Sequence, residues 1–170
     1  MNKIKMLIAS VISFIIVSTT SAQTFSKVTQ KDFQLFIGNW KGTLTYLDYS
    51  SNKPYTMPAD MEVRQLNKSN VFIFSNLYPN EPKANSSDTL TISANGKMLN
   101  NETVKSIRKL KNGNIEIITE LLSKDGNDNK PALIRIVYTV AKNIYTNIKE
   151  VKFIGRNKWI KRHEYNYTRK

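Results

Sequence analysis

The chain has 170 residues, with 26 Lys and Arg against 13 Asp and Glu, a formal net charge of +13, and no cysteine. This length suits one domain whose core needs no cross-link, and the lack of cysteine excludes a disulfide scaffold and a cysteine nucleophile. The excess of positive charge favours anionic partners.

The first 22 residues have the three parts of a secretory signal peptide. Lys3 and Lys5 precede an almost wholly apolar segment, 6–17, and small residues follow up to Ala22. This order predicts cleavage after Ala22 and a mature chain that begins at Gln23. A retained anchor is the alternative, but a spanning helix needs roughly 20 apolar residues. We therefore predict an exported, periplasmic or secreted protein with no transmembrane segment in its mature part, and the absence of cysteine favours a bacterial source.

The positive charge has two interpretations in an exported chain. It matches the anionic lipid or polysaccharide of a cell envelope. It equally suits a solvated outer surface, because lysines spread over many strands also discourage edge pairing. Nucleic acid is a poor match, since the basic residues do not cluster with stacking aromatic residues.

Residues 23–37 are predicted to form a lead-in with one helical turn. Thr29 and Asp32 have the spacing of a capping box, with Asp in place of the usual Glu. The apolar residues that follow share one face of a turn: Phe33, Phe36 and Ile37. Gly38 ends this segment, and the pattern then changes to that of strands.

From Gly38 onward, short alternating segments are separated by turn residues, which is typical of antiparallel strands joined by hairpins. The predicted strands are Trp40–Tyr46, Met61–Gln65, Val71–Phe74, Thr89–Ser93, Lys97–Leu99, Thr103–Leu110, Ile115–Leu122, Leu133–Val140, Ile144–Phe153 and Trp159–Arg169. Asn95-Gly96 and Asn112-Gly113 predict type I′ hairpin turns. Longer loops are expected over 50–56 and 79–87. Parallel pairing is not expected, because no crossover helix separates two strands.

A meander of about eight to ten strands leaves two exposed edges unless it closes on itself. We therefore predict an all-β fold over residues 38–170: a single up-and-down antiparallel barrel, preceded by the short helical turn. A barrel of this size has room for one small ligand. A two-sheet sandwich is the alternative, although its connections need longer loops than most of those seen here.

Gly38-Asn39-Trp40 follows the helical turn and opens the first strand. It resembles the G-x-W opening of the calycins, the group of lipocalins, fatty-acid-binding proteins and nitrobindin-like barrels. The resemblance implies a basic residue near the last strand that packs over the tryptophan. Arg162 and Arg169 are the candidates, and Arg169 is favoured because the last strand of a closed barrel ends beside the start of the first. The missing cysteine pairs favour the shorter bacterial or intracellular-type calycin barrels.

His163 is the only histidine of the chain. Its position a few residues before Arg169 resembles that of a late-strand histidine which ligates haem iron in nitrobindin-like barrels. The resemblance implies a haem contact, whereas a single strand histidine is more often exposed or hydrogen-bonded. We therefore predict no cofactor and no metal site.

Arg162 with Tyr165 and Tyr167 loosely resembles the carboxylate clamp of fatty-acid-binding proteins. Strand alternation, however, places Glu164 on the same face as Arg162 and the two tyrosines on the other face. A pair of Arg162 and Glu164 that satisfies itself, or that faces outward, is the alternative. The pattern does not decide which face of the last strand points inward.

The chain has no HExxH, P-loop or GxSxG motif, and one histidine gives little material for a catalytic triad. We therefore predict a non-enzymatic, lipocalin-like binding protein with a small, largely apolar ligand inside the barrel. The residues predicted to line the interior are Leu44, Tyr46, Met61, Val63, Phe72, Phe74, Ile117, Tyr138 and Arg162, with Trp40 and Arg169 closing the barrel. Two alternatives remain: a structural or envelope-surface protein with a packed barrel, and a barrel enzyme such as an isomerase or cyclase. The volume of the interior separates the binding protein from the packed barrel.

Overall fold

The computed structural model describes residues 27–110 and 113–170. The predicted signal peptide and its cleavage site lie outside these residues. The described chain begins with a 3-10 helix, Gln30–Phe36, and has a second 3-10 turn at Pro82–Ala84. The strands are β1 (Gly38–Asp48), β2 (Lys53–Pro58), β3 (Asp60–Gln65), β4 (Val71–Leu77), β5 (Ser86–Thr91), β6 (Met98–Leu99), β7 (Glu102–Lys109), β8 (Ile115–Asp125), β9 (Lys130–Val140), β10 (Ile144–Phe153) and β11 (Ile160–Arg169).

The strands form one antiparallel sheet in the order β5-β4-β3-β1-β11-β10-β9-β8-β7-β6, with β2 also paired to β1. β1 and β11 pair from Trp40 opposite Arg169 to Tyr46 opposite His163. This pairing joins the beginning of the meander to its end, as closure of a barrel requires. The predicted all-β meander barrel is confirmed.

β1 changes partner along its length, from β3 at Gly38–Trp40 to β2 from Thr43 onward. Gly42 lies at the point of change, where its carbonyl oxygen accepts a hydrogen bond of 2.9 Å from the Ala59 N–H. A Cβ atom at this position would lie 2.1 Å from the backbone oxygen of Asn166. Only glycine allows so close an approach between β1 and β11.

The loop predicted over 50–56 is wrong, because Lys53–Pro58 is strand β2. Tyr55 lies opposite Tyr46, and their ring centroids are 5.6 Å apart. The sequence did not predict this strand because the segment contains two prolines, which are typical of turns. β2 pairs with β1 alone, and an edge strand of this kind tolerates proline because its free side needs no N–H donor.

The tight type I′ geometry lies at Asn67 and Lys68, with φ of +47° and +53°, and not at Asn95-Gly96. Gly96 alone of the latter pair has a positive φ, +68°, and its N–H donates to the Ser93 carbonyl at 2.8 Å. The Asn95 side chain accepts hydrogen bonds from Ser93 Oγ and the Lys97 N–H, and such local bonds hold asparagine in a different turn. The type I′ prediction there is wrong. In the second pair, Asn112 lies outside the described residues.

The two ends of the sheet meet along a gap, which we call the seam, with β5 on one side and the two-residue strand β6 and its neighbour β7 on the other. A single bridge between Ile92 and Leu99 joins the two sides. One bond of this bridge runs from the Asn100 N–H to the Thr91 carbonyl at 2.8 Å, and the Asn100 side chain adds two more: its Oδ1 accepts from the Thr91 N–H at 2.8 Å and its Nδ2 donates to the Thr89 carbonyl at 2.9 Å. Elsewhere along the seam, the described strands form no ladder, so the barrel is nearly closed.

One end of the barrel is filled by the 3-10 helix and by Trp40, and we call it the closed end. Phe33 and Phe36 stack with ring centroids 4.7 Å apart and are fully buried. The Trp40 Nε1–H donates to the Phe36 carbonyl at 2.8 Å. The Thr29 N–H and Oγ1 donate to Asp32 at 2.8 and 2.7 Å, which fixes the start of the helix as the capping-box spacing indicates.

Arg169 completes the closed end. Its guanidinium carbon lies 4.2 Å from the centroid of the Trp40 ring. Such a stack contributes roughly 0.5–2 kcal/mol. The same group donates to the carbonyls of Ile37, Leu35 and Lys142 at 2.8, 2.7 and 2.7 Å. It therefore ties the last strand to the segment that enters the first.

Candidate functional site

The barrel contains a cavity of about 310 Å³ next to the closed end. Its floor is near Phe36, whose ring packs against Phe74, Tyr138 and Tyr145. The residues that line the cavity are Met61, Phe74, Asn76, Asp88, Thr89, Leu90, Asn100, Glu102, Ile136, Tyr138, Tyr145, Asn147, His163, Tyr165 and Tyr167. Ligand pockets usually enclose about 300–1,000 Å³, so this volume suits a ligand at the small end of that range.

Stacked tyrosines form one wall of the cavity. Tyr167 lies between Tyr145 and Tyr165, with ring centroids 5.4 and 5.6 Å apart and interplanar angles of 17° and 10°. Strand alternation produces this wall, because Tyr165 and Tyr167 are two residues apart on β11 and Tyr145 lies opposite Tyr167 on β10. Burial raises the pKa of all three phenols, so they remain protonated and can donate hydrogen bonds at neutral pH.

Two carboxylates line the cavity at the seam. Asp88 lies opposite Phe74 on the β5 side, and Glu102 lies opposite Leu99 on the β7 side. Thr119 Oγ1 donates to Glu102 Oε2 at 2.5 Å, and the Tyr138 hydroxyl donates to the same oxygen at 3.5 Å. Burial raises the pKa of Glu102, and these two hydrogen bonds oppose the shift.

His163 lies at the end of the tyrosine wall, with its ring centroid 5.2 Å from that of Tyr165. Burial, together with the charges of Lys149 and Arg162, lowers its pKa to about 4. The imidazole is therefore neutral at physiological pH. No Lys or Arg side chain is among the described residues that line the cavity.

Asn147 supplies an unused acceptor to the cavity. Its Nδ2 donates to the Tyr145 hydroxyl at 3.3 Å, whereas its buried Oδ1 has no hydrogen-bond partner among the described residues. A buried polar atom without a partner costs roughly 1–3 kcal/mol. A ligand with an N–H or O–H group would remove this cost.

The structure distributes the predicted interior residues over three places. Met61, Phe74 and Tyr138 line the cavity. Leu44 and Tyr46 are half-buried on β1, opposite Tyr165 and His163, but lie outside the lining. The remaining apolar residues are buried in the packed core and also lie outside the lining: Val63, Phe72 and Ile117.

Arg162 lies beyond His163, away from the cavity lining. The pairing of β10 with β11 shifts register between Lys149 and Glu150, so that Arg162 has no opposite residue. Its guanidinium carbon lies 4.1 Å from the centroid of the Tyr49 ring, and its Nε lies 3.8 Å from Asp125 Oδ1. This bulge removes Arg162 from the regular alternation of the strand.

The pair of Arg162 with Glu164, one form of the alternative to a clamp, does not form. Glu164 instead accepts a hydrogen bond of 2.5 Å from Lys161. The resemblance to a carboxylate clamp also fails, because the Tyr165 hydroxyl bonds to the hydroxyl of Tyr78 at 2.9 Å.

Sequence reasoning missed most of the polar lining. Tyr145, Asn147, Asp88 and Glu102 were not among the predicted site residues. The orientation of the β11 tyrosines could have been found, however. Once Arg169 is placed over Trp40, counting back in steps of two puts Tyr167, Tyr165 and His163 on the same inward face.

A wider depression of about 760 Å³ lies outside the barrel interior, between the β8–β9 hairpin and the end of β10. Tyr49 and Phe153 form its base, and it extends to exposed turn residues such as Ile154 and Arg156. Its lining comes from turn residues and strand ends, whereas the cavity lies among the strands beside the closed end and contains the buried, unpaired Asn147 Oδ1. We therefore take the cavity as the candidate site.

Haem does not fit this site. His163 faces the cavity as the nitrobindin-like resemblance implies, but the stacked tyrosines occupy the space beside it. A volume of about 310 Å³ is at the lower limit for drug-sized ligands, and haem is larger than these.

Comparison with known proteins supports the fold alone. No protein-family model matches the chain, and no curated protein is detectably similar to it in sequence. Among solved structures, the crystal structure of Rv2717c from M. tuberculosis superposes with a TM-score of 0.50 at 9% identity, covering 85% of this chain and 99% of that one. The nearly closed antiparallel barrel is consistent with a calycin-like fold.

Among the described residues, no three or more His, Asp or Glu side chains come together as a metal site would require. None of the helices in this part of the chain has the length and apolar character needed to cross a membrane.

Proposed function

We propose that this protein is an exported binding protein that holds one small ligand in the barrel cavity. The observation that carries the proposal is Asn147 Oδ1, a buried acceptor without a partner that lines a cavity of ligand size. Polar atoms in a packed interior are nearly always paired. An unpaired acceptor beside free space is what a binding site leaves for its ligand.

The packed-barrel alternative fits the closed end of the interior but not the part that contains the cavity. At the closed end, aromatic side chains such as Phe33, Phe36 and Trp40 are fully buried. The half that contains the cavity has apolar walls at Met61 and Phe74 together with converging polar groups. This combination is typical of small-molecule sites. It favours a ligand with an apolar body and a few polar groups over a purely apolar one.

Native mass spectrometry of the protein purified from its own host tests the binding function. We expect a co-purified small molecule that is released on denaturation. Leu90→Trp fills the cavity from the seam side and Asn147→Phe fills it from the opposite wall, so both should lose the ligand. Leu122→Trp, at a position that is 72% exposed, is the matched control and should retain it. A wild-type protein without any bound molecule would contradict the proposal, and so would a bound molecule that both filled variants retain.

Export is supported by the composition of residues 1–22 and their order. The intact mass of the protein from its host tests this part separately. We expect a mature chain that begins at Gln23, and a chain that still carries residues 1–22 would contradict export by cleavage.

A second candidate function, contact with an anionic envelope polymer, is favoured by one outer surface. Trp159 on this surface packs against Arg135 and Lys152, whose cationic groups lie 3.9 and 5.0 Å from its ring centroid. Retention of the protein on an anionic polysaccharide column should fall with salt and with Lys152→Gln. Equal retention of the wild type and this variant would exclude the surface.

A further inference from the structure

We propose that the ligand of the cavity is an organic cation: a small amine whose ammonium group lies between Glu102 and Asp88 and whose apolar body packs on the tyrosine wall. This inference rests on the proposed binding function and adds the charge and the chemical class of the ligand. Three properties of the cavity carry it: its charge, its aromatic surface and its excess of acceptors.

The charge of the cavity is opposite to that of the protein. The whole chain has twice as many basic as acidic residues and a net charge of +13, yet no Lys or Arg side chain lines the cavity. Glu102 and Asp88 both do, from opposite sides of the seam. A strongly basic chain that keeps every described cation out of a ligand-sized space, and places two carboxylates in it, makes that space suitable for a cation and unsuitable for an anion.

Two cations whose charges act on His163, Lys149 and Arg162, both lie beside Asp125. Lys149 forms an ion pair with Asp125, and the Arg162 Nε lies 3.8 Å from the same carboxylate. Asp125 is 9% exposed, so its charge is well placed to neutralise the two cations. Arg162 Nη1 is buried without a partner among the described residues, but neither cation lines the cavity. His163 is neutral, so no described positive charge lies in the space that a ligand ammonium would occupy.

The aromatic surface suits the body of such a ligand and contributes to the binding of its charge. Tyr138, Tyr145 and Tyr167 line the space, and the face of a phenol ring attracts an ammonium group. The stacked rings of Tyr145 and Tyr167 also offer a flat surface on which a planar ligand can pack.

The hydrogen-bonding groups of the cavity match an ammonium donor. Glu102 accepts bonds from Thr119 and Tyr138 through one oxygen, Oε2, and no bond to its other oxygen is found within the described chain. Asn147 Oδ1 has no partner there. An ammonium group has three donors and no acceptor, which is the complement of this set. A carboxylate ligand would instead meet two carboxylates with no cation to balance it.

Isothermal titration calorimetry with three probes of similar shape tests the inference: 2-phenylethylamine, which is cationic at pH 7, 2-phenylethanol, which is neutral, and 3-phenylpropionate, which is anionic. We expect the amine to bind at least about tenfold more tightly than the alcohol, because a hydrogen bond to a charged group in a desolvated site is stronger than a neutral one. The propionate should bind most weakly.

Substitutions of the two carboxylates test whether they are responsible for the preference for the amine. Glu102→Gln keeps the shape and an acceptor but removes the charge, so it should weaken amine binding roughly tenfold and leave alcohol binding unchanged. Asp88→Asn, at an exposed position, should weaken amine binding to a smaller extent. Glu116→Gln is the matched control, since Glu116 is paired with Arg108 outside the cavity, and it should change neither affinity. Unchanged melting temperatures show that the variants fold.

The outcomes separate this inference from the binding function itself. Alcohol or propionate binding as tight as amine binding overturns the cation assignment and leaves a binding barrel in place. Equal loss of amine affinity in Glu102→Gln and Glu116→Gln also overturns it, because the effect would then come from net charge alone. Absence of binding by all three probes, in a protein that carries no ligand from its host, overturns both proposals.

Discussion

The closed end and the cavity are neighbouring parts of one barrel interior, yet they treat buried polar groups in opposite ways. At the closed end, Asp32, the Trp40 Nε1–H and the Arg169 guanidinium all have partners. In the cavity, Asn147 Oδ1 has none and burial raises the pKa of Glu102. The polar groups of the closed end therefore stabilise the fold. The unpaired polar groups of the cavity lower the stability of the fold, but they leave hydrogen-bonding atoms free for a ligand.

The largest expected change in stability comes from a substitution that disrupts packing at the closed end. Trp40→Ala should lower the free energy of unfolding by about 3–5 kcal/mol, because the fully buried indole leaves a void that the barrel cannot close. Urea denaturation measures the change. Leu122→Ala, at a position that is 72% exposed, is the control and should cost less than about 1 kcal/mol. Equal losses in the two variants would show that the closed end is not the main source of stability.

The next effect lies at the cavity and depends on pH. The pKa of His163 is about 4 in the folded chain, below the ordinary value of 6.5. The unfolded chain therefore binds more protons between these values, and the folded state loses stability as pH falls from 6.5 to 4. The loss reaches at most roughly 3 kcal/mol.

Comparison of the wild type with His163→Gln at pH 7 and pH 4.5 isolates this loss, because both proteins share all other titrating groups. The stability of the wild type relative to the variant should fall at the lower pH. A difference that does not change with pH would mean that His163 is not held neutral in the cavity.

A smaller effect separates the stacking of Arg169 from its hydrogen bonds. Arg169→Met keeps an extended side chain on the Trp40 ring but leaves the carbonyls of Leu35, Ile37 and Lys142 without this donor. We expect a loss of about 2 kcal/mol in urea denaturation. Lys161→Met, on the exposed face of the same strand, should be nearly neutral. If the two variants lose equal stability, the guanidinium does not hold the closed end together.

The smallest effect compares a polar-to-apolar substitution at the cavity with one at the closed end. Asn147→Leu removes a buried acceptor without a partner and also the donor to the Tyr145 hydroxyl, so the two changes offset each other and the free energy of unfolding should change by less than about 1 kcal/mol. Asp32→Leu, a change of the same type at the closed end, removes the capping carboxylate and its ion pair with Lys109 and should lower the free energy of unfolding by about 1–2 kcal/mol. Thermal and urea unfolding of both variants measure the two changes. Losses of similar size in the two variants would mean that the cavity and the closed end do not differ in how they use buried polar groups.

Much of the fold could be predicted because its signals are local. Alternation of apolar and polar residues gave most strands, and the pairing of the first strand with the last follows from closure. Strand β2 was missed because Pro54 and Pro58 are turn signals to local reasoning. Only the topology shows that this strand has a free edge on which proline costs little.

The site was harder to predict, because alternation gives the face on which a residue lies and not its depth in the barrel. Phe72 and Met61 both point inward, but Phe72 packs against Phe33 of the 3-10 helix, with ring centroids 5.2 Å apart, whereas Met61 reaches the cavity. The depth at which that helix enters the barrel is set by long-range packing. Arg162 illustrates the other limit, since a bulge reorients a side chain without any signal in its own segment.

The seam has a consequence for the behaviour of the protein in concentrated solution. An unpaired strand edge is a template for intermolecular β-sheet and hence for fibrils. Asn100 occupies the last part of the β5 edge, because its side-chain amide and backbone supply the hydrogen bonds that a neighbouring strand would otherwise supply. Farther along the same edge, Asp88 points a charge inward, and an incoming strand from another molecule would have to bury it. Asn100 and Asp88 thus protect the edge of β5 at the seam against intermolecular strand pairing and aggregation.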